Sequence, residues 1–180
     1  MQIEAAGFLL RPWRAGDEPA LVRHAGNRKL WLNLRDRFPH PYTAADADAW
    51  IARVAAEGEP ALNFAVVVEG EPVGGAGLEP QGDVHRLTAE IGYWIAESHW
   101  GRGLATEAAR RLTQYAFSRL ALERLEAGVF EWNPASRRVL EKAGYRLEAR
   151  LRRNVVKDGR IGDSFLYARL RGEADGRAGP

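Results

Sequence analysis

The chain has 180 residues, 46% of them apolar, and a formal net charge of +2. That is enough for one domain with a real core and too mild a charge to argue for a nucleic-acid partner. The absence of cysteine excludes disulfides, thiolate zinc sites and a cysteine nucleophile, and the four histidines (His24, His40, His85, His99) lack metal-ligand spacing, so no metal is expected. No apolar run reaches bilayer length and no signal-peptide pattern opens the chain, so no membrane partner and a cytoplasmic location are expected.

In chain order, Gly7–Arg11 reads as a strand stopped by Pro12. A helix follows from Asp17, its expected N-cap, to Gly26, with Pro19 in the first turn. A short helix near Asn27–Leu34 gives way to Phe38-Pro39-His40-Pro41-Tyr42, where two prolines forbid helix. Thr43 caps a helix through Glu57, with Asp46 at capping-box distance. Its apolar positions Ala47, Trp50, Ile51 and Val54 recur at helical spacing. Two strands, Asn63–Val68 and Pro72–Leu78, flank the turn Glu69-Gly70-Glu71, and the glycines of the second suggest a bulge or a close backbone approach.

Next come a strand over Ala89–Ala96, a helix over Thr106–Leu120 and a strand over Arg124–Phe130, which together suggest a parallel right-handed unit. A helix over Pro134–Ala143 ends at Gly144, and strands Tyr145–Lys157 and Ile161–Leu170 meet at Asp158-Gly159. The Arg146, Arg150, Arg152, Arg153 run reads as a solvated strand face. The sum is a mixed α/β chain with a largely antiparallel sheet and one parallel pair. A single domain is expected over residues 1–170, followed by a disordered tail over 171–180, rich in Gly, Ala and charge.

Trp100-Gly101-Arg102-Gly103-Leu104-Ala105-Thr106 joins a strand to a helix N-terminus. Gly101 and Gly103 let the backbone come close, and the free N–H groups of the first turn make an anion site suited to phosphate or pyrophosphate. It is not a P-loop, because no Gly-Lys-Ser/Thr follows. It is not the dinucleotide fingerprint either, because Thr106 stands where the third Gly or Ala belongs.

Downstream lies Asn133-Pro134-Ala135-Ser136, then Lys142-Ala143-Gly144-Tyr145. With the loop, this resembles the GNAT N-acetyltransferases, which pair a Q/R-x-x-G-x-G/A pyrophosphate loop with a later N-x-x-S…K-x-G-F/Y helix. Trp100 departs from the usual Gln or Arg and looks like the branch of the ribosomal-protein N-terminal (alanine/serine) acetyltransferases. The likeness runs from about Phe8 to about Leu170. It implies a mixed, largely antiparallel twisted sheet with one splayed parallel pair, flanked by helices. Acetyl-CoA would be the co-substrate.

By that resemblance, main-chain groups near Trp94, Ile95 and Ala96 would bond pantetheine, and amides of Gly101, Arg102, Gly103, Leu104, Ala105 and Thr106 would hold the pyrophosphate. Asn133, also an N-cap before Pro134, would reach pantetheine, and Lys142 would touch the phosphates. Ser136 would donate to the departing thiolate, with Tyr145 in reserve. Glu90, an acid in an otherwise apolar strand run, is the candidate general base, acting through an ordered water. Relatives in the ribosomal branch place an acid on the strand after the Asn-Ser helix, where Val155 and its neighbours stand here. Glu148 on that strand reads as a salt-bridge partner. Trp31, Asn33, Arg35, Phe38, His40 and Tyr42 either line an acceptor pocket or pack their irregular segment on the sheet.

The implied reaction is acetyl transfer to a primary amine, first of all a protein's N-terminal α-amino group, as on a ribosomal protein. The alternatives are a small amine (polyamine, amino-acid analogue or antibiotic) and a silent acyl-CoA-binding module. A homodimer is a family-level expectation.

Overall fold

The computed structural model describes residues 2–5 and 7–173. Its strands are β1 (Ile3–Ala5), β2 (Phe8–Pro12), β3 (Asn63–Val68), β4 (Glu71–Pro80), β5 (Thr88–Ile95), β6 (Arg124–Phe130), β7 (Arg146–Lys157) and β8 (Arg160–Leu170). They form one eight-stranded sheet in the order β1-β2-β3-β4-β5-β6-β8-β7. Every neighbour pair is antiparallel except β5–β6. The helices are α1 (Glu18–Ala25), α2 (Arg28–Trp31), α3 (Ala44–Ala55), α4 (Leu104–Arg119) and α5 (Pro134–Lys142).

The sheet buries both faces. In β3, Phe64, Val66 and Val68 join the core under α4, while Ala65 and Val67 join the core under α1 and α3. A strand covered on both sides needs a continuous apolar run, which Phe64–Val68 supplies. On the first face α4 contributes Leu104, Ala108, Ala109, Leu112, Tyr115 and Ala116. Each large side chain so buried stabilises the fold by roughly 1.5–3 kcal/mol. On the second face Trp13, Leu21, Ala25, Tyr42, Ala47 and Ile51 pack together.

The local signals act as their chemistry dictates, with three exceptions. Thr43 and Asp46 form the expected capping box on α3. Asp158 and Gly159 both take positive φ, as a two-residue hairpin requires. Gly144, at φ +87, sits one place past the Ala143 C-cap, where Tyr145 N–H bonds the Leu140 carbonyl and Gly144 N–H that of Glu141. That is a Schellman closure.

The first exception is Asp17, whose side chain caps nothing. It is buried against Arg11, with both guanidinium nitrogens at 2.7 Å, and accepts the Arg14 N–H. An arginine buried on β2 needs a carboxylate more than α1 needs a cap. Second, α4 starts at Leu104 rather than Thr106, because Gly103 at φ +78 is itself the N-cap. Third, β1 is too short to leave a period in the sequence. Arg171 donates to the carbonyls of Phe117, Leu120 and Leu122, so ordered chain continues to Glu173. The rest of the expected tail, 174–180, lies outside the described residues. Among the described residues no helix is long and apolar enough to cross a membrane.

Candidate active site

The parallel pair is joined only at Thr88↔Arg124, Ala89↔Leu125 and Glu90↔Glu126. Beyond that seam β5 runs on to Ile95 and β6 to Phe130 with no pairing between them. Each remains fastened on its outer side, β5 to β4 and β6 to β8. The result is a cleft with two rigid walls.

Main-chain groups on the β5 wall follow the alternation of an antiparallel ladder. Ala96 N–H donates to the Val73 carbonyl at 2.7 Å, and the Thr88 carbonyl accepts from Gln81. Trp94 therefore also faces β4, while Tyr93 and Ile95 turn their N–H and C=O groups into the cleft beyond the seam. The Ile95 carbonyl is taken by the Trp100 indole N–H at 2.7 Å. Among the described residues, only the Ile95 N–H of the expected trio Trp94, Ile95 and Ala96 remains free toward the cleft. Tyr93, which the sequence reading passed over, offers both main-chain groups there.

At the mouth of the cleft, Gly101 and Gly103 have φ +76 and +78. A side chain at either would meet open space, so backbone conformation rather than packing requires glycine. Among the described residues, none of the N–H groups of Gly101, Arg102, Gly103, Leu104, Ala105 and Thr106 finds an acceptor. The first bonded one is Glu107, to the Gly103 carbonyl. Arg102 and Lys142 are exposed and form no ion pair among the described residues.

On the β6 side, Asn133 Oδ1 accepts the Ser136 N–H at 3.1 Å, which caps α5. The Asn133 side-chain nitrogen has no partner among the described residues. Ser136 Oγ lies 2.9 Å from the Tyr93 hydroxyl, which is also 3.3 Å from the Ser136 carbonyl. Burial pushes the Tyr93 phenol well above its ordinary value, against a smaller opposing effect of the Ser136 hydrogen bond. Tyr145 is not in the cleft: it is buried, with its hydroxyl 2.7 Å from that of Thr113.

Glu90 stands at the seam on the opposite face. Arg35 Nη2 donates to both its oxygens at 2.6 Å. Glu79 lies directly across on β4 and is held by Arg37, while Glu126 lies abreast on β6, bonded by Gln81 and Arg124. Arg37 holds the Glu79 carboxyl below its usual range. Glu148 is bridged by Arg124, as its sequence reading expected.

Above this row sits the segment after α2. Phe38 packs on Trp94 and Tyr42, with ring centroids 5.9 and 5.3 Å away. Trp31 stacks on His40 at 5.3 Å, and the buried Lys157 Nζ lies 3.6 Å from its ring centre. Burial, then Asp46, pushes the Tyr42 hydroxyl up to about 12. Asn33 spends its side chain on the Lys29 carbonyl. Arg35, Phe38 and Tyr42 thus gather beside β5, Trp31 and His40 pair beside Lys157 at the end of β7, and Asn33 turns back to α2. Trp132, from the loop before α5, fixes the segment by donating to the Leu32 carbonyl at 3.0 Å.

A sheet opened at one parallel seam, with unbonded amides at its mouth, defines a class of protein that comparison makes explicit. The model of the acetyltransferase (GNAT) domain matches residues 8–146, and the chain belongs to that family. Over 178 residues it is 30% identical to "Uncharacterized N-acetyltransferase p20" of Bacillus licheniformis, covering 98% of this chain and 93% of that one. It is 35% identical over 83 residues, 46% of each chain, to the "Ribosomal-protein-serine acetyltransferase" of Escherichia coli. The alignments with several curated relatives, this one included, span about half of those proteins' length. Among solved structures, a GNAT-family acetyltransferase from Bacillus anthracis superposes with TM-score 0.82 at 25% identity, over 96% of this chain and 100% of that one. Mycobacterium smegmatis RimJ, solved in complex with CoA-disulfide, gives TM-score 0.79 at 29% identity, over 91% and 82%.

Proposed function

We propose that this chain transfers the acetyl group of acetyl-CoA to a primary amine, with the N-terminal α-amino group of a protein as the foremost acceptor. The observation that carries the reading is the run of unbonded N–H groups from Gly101 to Thr106 at the mouth of the splayed β5–β6 cleft. A diphosphate satisfies such groups without side-chain charge. An extended amide chain entering the gap completes the ladder that Tyr93 and Ile95 leave open. The free amide nitrogen of Asn133 suits one of its carbonyls, and Lys142 and Arg102 suit the outer phosphates. The match to a relative solved with a CoA-derived ligand supports the cofactor.

In the reaction the amine lone pair attacks the thioester carbon, the C–N bond forms and the C–S bond breaks with its electron pair on sulfur. The amine proton passes through water to Glu90, whose carboxylate also favours a cation beside it. Ser136 O–H is directed at the developing thiolate. The adjacent amides of the cleft pre-position the thioester, so the protein acts chiefly by orientation and charge placement.

A relative named as a ribosomal-protein-serine acetyltransferase supports a protein acceptor. The row Glu79, Glu90 and Glu126 favours a second reading, a small polycationic amine. Thiol release from acetyl-CoA, measured against N-terminal peptides and against polyamines, tests both. Turnover with peptides alone supports the first reading and turnover with polyamines alone the second. Coenzyme binding without turnover of any amine points to a silent binding module and removes both.

A further inference from the structure

We infer that Tyr93 is a positioning residue that sets the direction of the Ser136 hydroxyl hydrogen. The inference rests on the role given to Ser136 above. Tyr93 is the link across the splay: it stands on β5 beyond the seam, and its hydroxyl meets the first turn of α5, which follows β6. Two acceptors on one residue compete for its single hydrogen, Ser136 Oγ at 2.9 Å and the Ser136 carbonyl at 3.3 Å.

The competition defines two arrangements. When Tyr93 donates to the carbonyl, Ser136 O–H donates back to Tyr93, and the serine hydrogen is spent inside a closed ring. When Tyr93 donates to Ser136 Oγ, the serine hydrogen is released toward the cleft. Among the described residues Ser136 Oγ has no other partner, so Tyr93 alone selects between the two. A developing negative charge on sulfur draws the serine hydrogen outward, and Tyr93 follows by turning its own hydrogen onto Ser136 Oγ. Chained hydroxyls strengthen each other in a dry site.

No proton leaves Tyr93 in this step. Its burial keeps the phenol protonated well past neutral pH, so it orients rather than relays. Sulfur departs with the electron pair of the broken C–S bond, stabilised by one hydrogen bond from Ser136.

The test compares Tyr93→Phe, Ser136→Ala and the double variant by steady-state thiol release, with coenzyme A affinity by calorimetry and thermal melting as controls. Tyr93→Phe is expected to lower kcat roughly five- to tenfold, the worth of one hydrogen bond, with KM for acetyl-CoA unchanged. The double variant is expected to be no slower than Ser136→Ala, because both act through one hydroxyl. A fluorotyrosine at position 93, which keeps the donor, is expected to restore the rate. A slow Ser136→Ala beside a Tyr93→Phe at full rate overturns the inference alone. Losses that multiply, a Tyr93→Phe effect confined to KM, or failure of fluorotyrosine to restore the rate also overturn it. Ser136→Ala at full rate removes the role of Ser136 and the inference with it.

Discussion

Glu90 is held between two strands and one arginine, and its charge can be removed without altering its shape. Glu90→Gln should lower kcat by about two orders of magnitude while leaving acetyl-CoA affinity unchanged, since general bases contribute on that scale. Thiol-release kinetics and calorimetry check both halves, and an unchanged kcat removes Glu90 as the base. Arg35 Nη2 donates to both oxygens of that carboxylate, so its charge opposes a cation brought beside Glu90. Arg35→Ala should therefore lower KM for a cationic acceptor, read from acceptor titration, and a rise in KM would instead make Arg35 part of the acceptor's own binding site. Asn133 was legible as an N-cap because Asn-Pro opens a helix, and the roles given to Asn133 and Ser136 in the reaction came through the resemblance alone. Tyr93 was not. Within its strand it shares a face with Ile91 and Ile95 as one more inward apolar side chain, and its partner depends on where α5 docks, which no local pattern encodes.

At the scale of elements, the turn before α4 depends on Gly103. Its φ of +78 lies far from the angle that proline imposes. Gly103→Pro should abolish coenzyme binding in a calorimetric titration, whereas Gly103→Ala should cost roughly 1–2 kcal/mol of local strain and weaken it. Normal affinity in the proline variant would count against the amide cradle. The β7–β8 hairpin offers a different test. Asp163 accepts the Arg153 N–H at 2.8 Å and Arg150 Nε at 2.6 Å, pinning β7 where its register with β8 shifts.

Those two contacts hold the Asp163 carboxyl below its usual range. A group whose folded pKa is depressed stabilises the fold above its unfolded pKa, and that part is lost as pH falls through the folded value. Asp163→Asn should thus lower the melting temperature at neutral pH and flatten its fall in acid. A wild-type acid limb in the variant would refute the anchor. Elements with strong local chemistry were legible: β6, α5 and the α3 capping box stand where spacing and caps put them. The start of α4 was not, because a glycine N-cap carries no side-chain signal, and neither was Asp17, whose carboxylate serves a distant arginine.

For the whole molecule, the core under α4 is the larger of the two. Leu112 is fully buried there, and Leu112→Ala should cost about 2–5 kcal/mol, with Tm falling by roughly 10 °C. A shift of only a degree or two by calorimetry would mean the site collapses around the gap. Hairpin turns and one crossover made the largely antiparallel sheet and its parallel pair legible, but not the place of β8 between β6 and β7, and the splay was expected through resemblance alone. Periodicity reports which face a residue takes, not whether neighbouring strands stay bonded along their length.

That splay also divides the molecule mechanically. One plate, β1 to β5, and another, β6-β8-β7, share a hinge-line only three residue pairs long, so a small twist at Thr88–Glu90 is magnified at the far rim near Ile95 and Phe130. Inward-facing amides such as that of Tyr93 should trade hydrogen for deuterium quickly while their neighbours at Trp94 and Ala96 resist, and a guest filling the slit should erase the contrast.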